Sequence, residues 1–189
     1  MSMIEHPFDP VYDARSRVLI LGTFPSPKSR ETRFYYGHPQ NCFWTTLAFV
    51  LGEGEPATDP ASKTAFLLKN RIAVWDVLHA CEIEGASDAG IRNPVPNAFR
   101  PLLSASEIAT IFTTGRKATE LFNALCSAEA GMTAVCLPST SPANRAYRKK
   151  PAFMAEWMRV REALGVGGAS RSDPAGLSAP PASQKKENW

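Results

Sequence analysis

The sequence predicts an α/β fold, a mainly parallel sheet of four strands covered on both faces by helices. Three observations predict it. Short apolar runs such as Val18-Leu19-Ile20-Leu21 are continuous and not alternating, as in strands buried on both faces. Between them lie segments whose apolar residues recur at three and four, the spacing of one helical face. The two kinds of segment take turns along the chain, the order that builds parallel sheets.

Residues 17–22 form the first strand. From Asn41, the series Phe43, Trp44, Leu47, Ala48 and Leu51 marks a helix that Gly52 and Gly54 close. Asp59 followed by Pro60 is a good N-cap and N1 pair, opening a helix through Phe66, Leu67 and Leu68 that stops near Asn70. Residues 72–78 are the second buried strand, and a polar stretch after them is expected to be a loop. Asn97 can cap a short helix over 99–103. Residues 108–113, rich in β-branched side chains and ended by Gly115, make the third strand. A helix over 117–126 sets Ala118, Leu121, Phe122 and Leu125 on one side, and 133–137 is the fourth strand. PSTSPANR is a loop, and 151–164 is a last helix carrying Phe153, Met154, Trp157 and Val160. From Gly165 the chain is rich in Gly, Ser, Ala and Pro, with almost nothing to bury. We therefore expect one domain over 1–164 and a disordered tail over 165–189.

A chain of 189 residues with 44% hydrophobic composition can bury one ordinary core. Its four cysteines are scattered, with no Cys-x-x-Cys pair, which argues against a zinc or iron–sulfur site and suits a cytoplasmic protein. The start MSMIEHPFDP has no basic segment followed by an apolar one, and no apolar run approaches the roughly 18 residues of a membrane span. A soluble, unexported protein without a membrane partner is expected. The formal charge is only +3, so any nucleic-acid binding must come from local basic clusters.

Two loops, over 23–40 and 138–148, leave the carboxyl ends of predicted strands, where open α/β sheets place their ligands. Both combine backbone-fixing prolines, hydroxyls and flanking cations, with Asn41 just after the first and Asn144 within the second. Lys28, Ser29, Arg30 and Arg33 mark the first; Ser139, Ser141, Pro142, Asn144, Arg145 and Arg148 mark the second, with Lys149 and Lys150 beyond. Such residues suit phosphodiester oxygens. Phe24, Phe34, Tyr35 and Tyr36 add aromatic faces for an unstacked base, worth about 1–3 kcal/mol per base. Cations beside aromatics suggest a polynucleotide more than a lone metabolite.

The stretches GTFPS, YYGHPQNCFW and PSTSPANR, with VWDVLHACEIEGASD between them, resemble the uracil-DNA glycosylase superfamily. Within it they resemble the hypoxanthine-DNA (deoxyinosine) glycosylase branch, similar to the mismatch-specific uracil/thymine-DNA glycosylases. The resemblance covers roughly residues 7–162. It implies a three-layer αβα sandwich with a four-stranded parallel sheet, DNA across the strand ends, and a deaminated base flipped into a pocket and released hydrolytically. The superfamily often carries an Asp or Asn within the Gly-x-x-Pro segment after the first strand, but here that segment is Gly22-Thr23-Phe24-Pro25. The branch instead offers the Asn of its HPxN segment, which is Asn41 here, to hold a water for attack on the sugar. The resemblance makes Phe24 a stacking surface, and the amides of Thr23 to Ser26, with the Tyr36 and His38 side chains, donors around the base. Where relatives often carry Asn-Gly after the third strand this chain has Thr114-Gly115, so Thr114 stands at the base edge. A monofunctional enzyme without cofactor or metal, acting as a monomer on damaged DNA, is implied.

Other readings of the same residues stand beside these. Asn41 is well suited to cap the helix that follows it. His38 can be an ordinary hydrogen-bonded loop residue, and although Asp76 and Asp88 could form an acid and base pair, Asp76, at a strand end, is better read as capping or binding backbone. Tyr35 suits the core, while Tyr36 suits core or cleft. The Arg148-Lys149-Lys150 cluster is a solvated helix start or a phosphate site. A non-catalytic nucleic-acid-binding module of the same fold is the alternative function. A nucleotide hydrolase fits poorly, because no Gly-x-x-x-x-Gly-Lys-Ser/Thr segment is present.

Overall fold

The computed structural model describes residues 2–85 and 88–165, so all but the first residue of the expected tail lies outside the described residues. Strand β1 (Ile4–Glu5) precedes β2 (Val18–Gly22), and helices α1 (Pro27–Thr32), α2 (Phe43–Leu51) and α3 (Pro60–Lys69) lead to β3 (Ile72–Asp76). A hairpin of β4 (Leu78–Ile83) and β5 (Ile91–Pro96) follows, then α4 (Arg100–Ser104), β6 (Thr110–Thr114), α5 (Arg116–Leu125) and α6 (Ser127–Ala130). Strand β7 (Ala134–Leu137), α7 (Arg145–Arg148) and α8 (Pro151–Ala163) complete the order.

The four predicted strands form one parallel sheet in the order β3-β2-β6-β7. Period-two alternation divides its core. Val18, Ile20, Ile72, Val74 and Phe112 face α2, α3 and α8, while Leu19, Leu21, Ala73 and Ile111 face α4 and α5. Both faces of β2 are fully buried, which is why its run is continuously apolar; each such side chain contributes about 1.5–3 kcal/mol. The fold is the three-layer α/β architecture expected.

One outer layer is not purely helical. Strands β1, β4 and β5 form a second, antiparallel sheet in the order β1-β4-β5, and Leu78 and Cys81 pack it on the β2–β6 side of α5. The expected strand over 72–78 is therefore two strands. The chain breaks at Val77, whose amide bonds the Gly22 carbonyl while that of Leu78 bonds the Thr23 carbonyl. The expected loop after it is largely the hairpin; Pro94 and Pro96 are tolerated because β5 is an edge strand.

Side-chain caps set the starts of α1, α3 and α4. Asp59 Oδ1 accepts the Ser62 amide at 2.8 Å, as predicted. Asn97 does not cap α4: its Nδ2 donates to the Asp76 carbonyl at 2.9 Å. The Glu129 carboxylate caps α4 instead, accepting the amides of Phe99 at 3.2 Å and Arg100 at 2.9 Å.

Candidate active site

The chain runs from β2 to β3 on one side and reaches β6 on the other, so the loops leaving β2 and β6 diverge and leave a crevice. That crevice is a cleft of about 1390 Å³, whose walls include both predicted loops. Gly22, Thr23, Phe24, Pro25 and Ser26 line it, as do Tyr36, His38, Asn41 and Thr114. Lys28, Ser29, Ser139, Ser141, Pro142 and Asn144 line it too. Arg30, Arg145 and Arg148 do not.

The first loop is stiffened from within. Ser26 Oγ caps α1 by accepting the Ser29 amide at 3.2 Å, and Pro27 occupies the first turn. Ser29, buried, accepts the Gly37 amide on its Oγ at 3.1 Å, so this hydroxyl fastens the loop. Arg30 folds back, donating to the Pro25 carbonyl at 3.2 Å with its guanidinium 5.9 Å from the Phe24 ring centre. Phe24 itself is 8% exposed and packs in the β2–β6 core while showing an edge to the cleft. Lys28 pairs with Glu31 at 2.7 Å on the rim, an exposed contact that a phosphate can displace.

Tyr36 serves core and cleft at once. Its backbone is left-handed at φ 52°, held there as its ring stacks flat on Phe43, 3.7 Å between centres and 8° between planes. Its hydroxyl lies 3.4 Å from Thr114 Oγ1, which in turn donates to the Leu21 carbonyl at 3.3 Å, so Tyr36 is the donor of the pair. Burial, helped by the Asp76 charge, raises the phenol pKa and keeps it protonated. Tyr35 is core, with its hydroxyl on the Asp9 carbonyl at 2.9 Å.

Asn41 is bonded at the start of α2 and also faces the cleft. Its Oδ1 accepts the Phe43 amide at 3.0 Å, closing the turn into α2, and the residue lines the cleft half-buried. The backbone donor fixes which amide atom is oxygen and leaves that oxygen a second lone pair. His38 holds the approach: its carbonyl accepts the Asn41 amide at 2.8 Å and its Nδ1 the Gln40 amide at 3.1 Å.

The second loop is likewise self-bonded. Ser139 Oγ accepts the Ser141 amide at 3.2 Å, Ser141 Oγ that of Ala143 at 3.4 Å, and Asn144 Nδ2 donates to the Ser139 carbonyl at 2.8 Å. Trp157 Nε1 anchors its start through the Pro138 carbonyl at 3.1 Å. Gly115, at φ 100°, meets it so closely that a Cβ there would press on Ser139 at 3.3 Å. The two loops are also tied together. Arg148 Nη1 donates to the Gln40 carbonyl at 3.0 Å and, at 3.5 Å, to the Thr140 carbonyl, which also accepts the Cys42 amide at 3.2 Å. Arg148 is thus a strap between the loops, whereas Arg145 is exposed.

Sequence reasoning weighed Asp76 and Asp88 as an acid and base pair and preferred a structural reading, yet both line the cleft. Asp76 does not use its carboxylate on backbone: Oδ2 meets His6 Nε2 at 2.9 Å, with both side chains nearly inaccessible, and Asp76 lines the cleft. Asp88, on the hairpin between β4 and β5, accepts the Thr23 hydroxyl on Oδ2 at 2.7 Å and lines the cleft as well. Burial raises its pKa, and the Asp76 charge adds to the rise. Arg116, at the start of α5, is a further lining cation. Nothing in local spacing announces His6, seventy residues from its partner. Among the described residues no group of three or more His, Cys, Asp or Glu could hold a metal ion.

Fold and cleft together define an α/β protein whose ligand site lies at the carboxyl ends of a parallel sheet, between two rigid loops. The model of the uracil DNA glycosylase superfamily matches residues 10–160, and the chain belongs to that superfamily. A hypoxanthine DNA glycosylase of Methanosarcina acetivorans is 36% identical over 159 residues, covering 84% of this chain and 98% of the relative. One of Methanosarcina barkeri is 31% identical over 150 residues, 79% and 94% of the two chains. A solution NMR structure named for a uracil DNA glycosylase of Methanosarcina acetivorans superposes with a TM-score of 0.71 at 34% identity, covering 87% of this chain and 99% of that one.

Proposed function

We propose that the protein is a monofunctional base-excision repair glycosylase. It flips a deaminated base out of DNA and hydrolyses its N-glycosyl bond, with hypoxanthine the first substrate and uracil the second. The names of the relatives support the choice of base. The observation that carries the chemistry is Asn41, held by the Phe43 amide with one oxygen lone pair still free at the cleft. That lone pair takes a hydrogen of a water and aims its oxygen at C1′ of the sugar. No strong base is required, because the departing base takes the electron pair and the nearby phosphates stabilise the cationic sugar.

The rest of the cleft serves binding. The amides of Thr23 to Ser26 and the edge of Phe24 receive the base, and Lys28, Ser139, Ser141, Asn144 and Arg145 grip the backbone. One chain builds the entire cleft, so it works as a monomer, as a single domain over 1–164 with its tail beyond. The four unpaired cysteines suit the cytoplasm, and among the described residues no helix is long and apolar enough to cross a membrane.

Asn41→Ala is expected to lower single-turnover release of hypoxanthine from duplex DNA by about 100-fold or more while sparing affinity for an abasic-site duplex. Asn41→Asp, which keeps an acceptor for the Phe43 amide, separates folding from catalysis. Wild-type release by Asn41→Ala refutes the role, and no release by the native protein from any hypoxanthine, uracil or xanthine duplex refutes the activity.

A further inference from the structure

The polar groups of the pocket floor are mostly spent on the protein itself. Thr114 donates to Leu21 and receives Tyr36, and Ser26 and Ser29 hold the first loop. Two carboxylates remain. Asp76 is 5% exposed, and its Oδ1 fills the space that a Cβ on Gly22 would need, with the Tyr36 hydroxyl beside it. No described residue donates a hydrogen bond to that oxygen. Its other oxygen is fixed: His6 Nδ1 accepts the Phe8 amide at 3.5 Å, so Nε2 carries the hydrogen and donates to Asp76 Oδ2 at 2.9 Å. A buried charge with an open oxygen on a cleft is costly unless a ligand completes it.

Asp88 is placed for the opposite state. The Thr23 hydroxyl donates to its Oδ2, and the charged or titratable groups that act on it are Asp76 from β3, Cys81 from β4 and Lys117 from α5. Burial, the largest influence, and the neighbouring Asp76 charge raise its pKa, against the hydrogen bond from Thr23 and the weaker pull of Lys117. An open carboxylate oxygen of Asp76 and a carboxyl group of Asp88 that burial inclines to its acid form thus stand on one cleft, an acceptor beside a donor.

Resting on the glycosylase reading above, we infer that Asp76 and Asp88 together read the lactam edge of the flipped base. Asp76 accepts its ring N–H, and Asp88 in the acid form donates to the adjacent carbonyl. Deamination creates that edge. Adenine and cytosine present an amino group beside a ring-nitrogen lone pair, whereas hypoxanthine and uracil present a carbonyl beside a ring N–H. Adenine and cytosine would set a lone pair against the Asp76 oxygen and an amino group against the Asp88 proton, a mismatch that rejects them.

The test is single-turnover release from hypoxanthine duplexes between about pH 5 and 9, beside binding to an abasic-site duplex. In Asp76→Asn the His6 donor claims the amide oxygen and turns the NH₂ on the base N–H, so release should fall about 100-fold or more with abasic-site binding kept. The native protein should lose activity as pH rises through the Asp88 pKa, because the acid form is the working one. Asp88→Asn, a donor at every pH, should flatten that limb, while Asp88→Ala should lose release about 100-fold. A wild-type rate for Asp76→Asn, an unchanged pH profile for Asp88→Asn, or full release by Asp88→Ala would each overturn the inference. If Asp76→Asn does not fold, the Asp88 pair decides. Native protein silent on every duplex indicts the glycosylase reading itself, whereas an active native protein with indifferent variants indicts only this one.

Discussion

At Gly22 a hydrogen stands where any other residue would put carbon, and the parallel register sets it directly beside Asp76. Gly22→Ala must push the carboxylate off His6 or shift the strand end. We expect a loss of about 1–3 kcal/mol, read as a lower denaturant midpoint, together with lost base release. This glycine was legible as a strand end followed by Pro25, but its physical reason was not, because the atom it makes room for belongs to another strand. Asn41 was the opposite case. Its place between a loop and an apolar helix suggested both a cap and a water-holding role, and in the fold its Oδ1 holds the Phe43 amide while the residue lines the cleft. His6 could not be found: a histidine among apolar neighbours has many uses, and only the folded sheet brings it to Asp76.

Between residue and molecule, the two loops are joined by Arg148 and by the Cys42 amide on the Thr140 carbonyl. Arg148 was read as a phosphate contact from its company with Lys149 and Lys150, and charge alone could not distinguish that from a guanidinium turned inward on two carbonyls. Arg148→Ala is expected to slow single-turnover release about 10-fold by loosening Gln40, next to Asn41. It should leave the salt slope of DNA binding near its native value. Arg148→Lys should not restore the rate, since an ammonium lacks the planar fork; a slope reduced by about one would instead return Arg148 to the phosphate contacts. The parallel sheet was readable because both faces of each strand are buried, leaving unbroken apolar runs. The second sheet was not, because β5 carries prolines and lies at an edge, where missing amides cost nothing. Helix α1 had its signal, Ser26 before Pro27, within a stretch short enough to pass for loop.

For the whole molecule, the charge of +3 leaves association with DNA to a few placed cations. Arg145, exposed beside the cleft, is expected to be one of them. Arg145→Ala should weaken binding across sequences and reduce the slope of log affinity against log salt by about one; an identical slope would remove it from the interface.

The sheet of β1, β4 and β5 has a practical outcome for anyone cutting the protein to size. A fragment begun at Pro10 would retain every strand of the parallel sheet and both strand-end loops, and would look like a sufficient core. It would lack the imidazole that closes the wall behind Asp76, leaving that acid to solvent entering from the rear. The segment around β1, easily taken for a disposable leader, is part of the pocket.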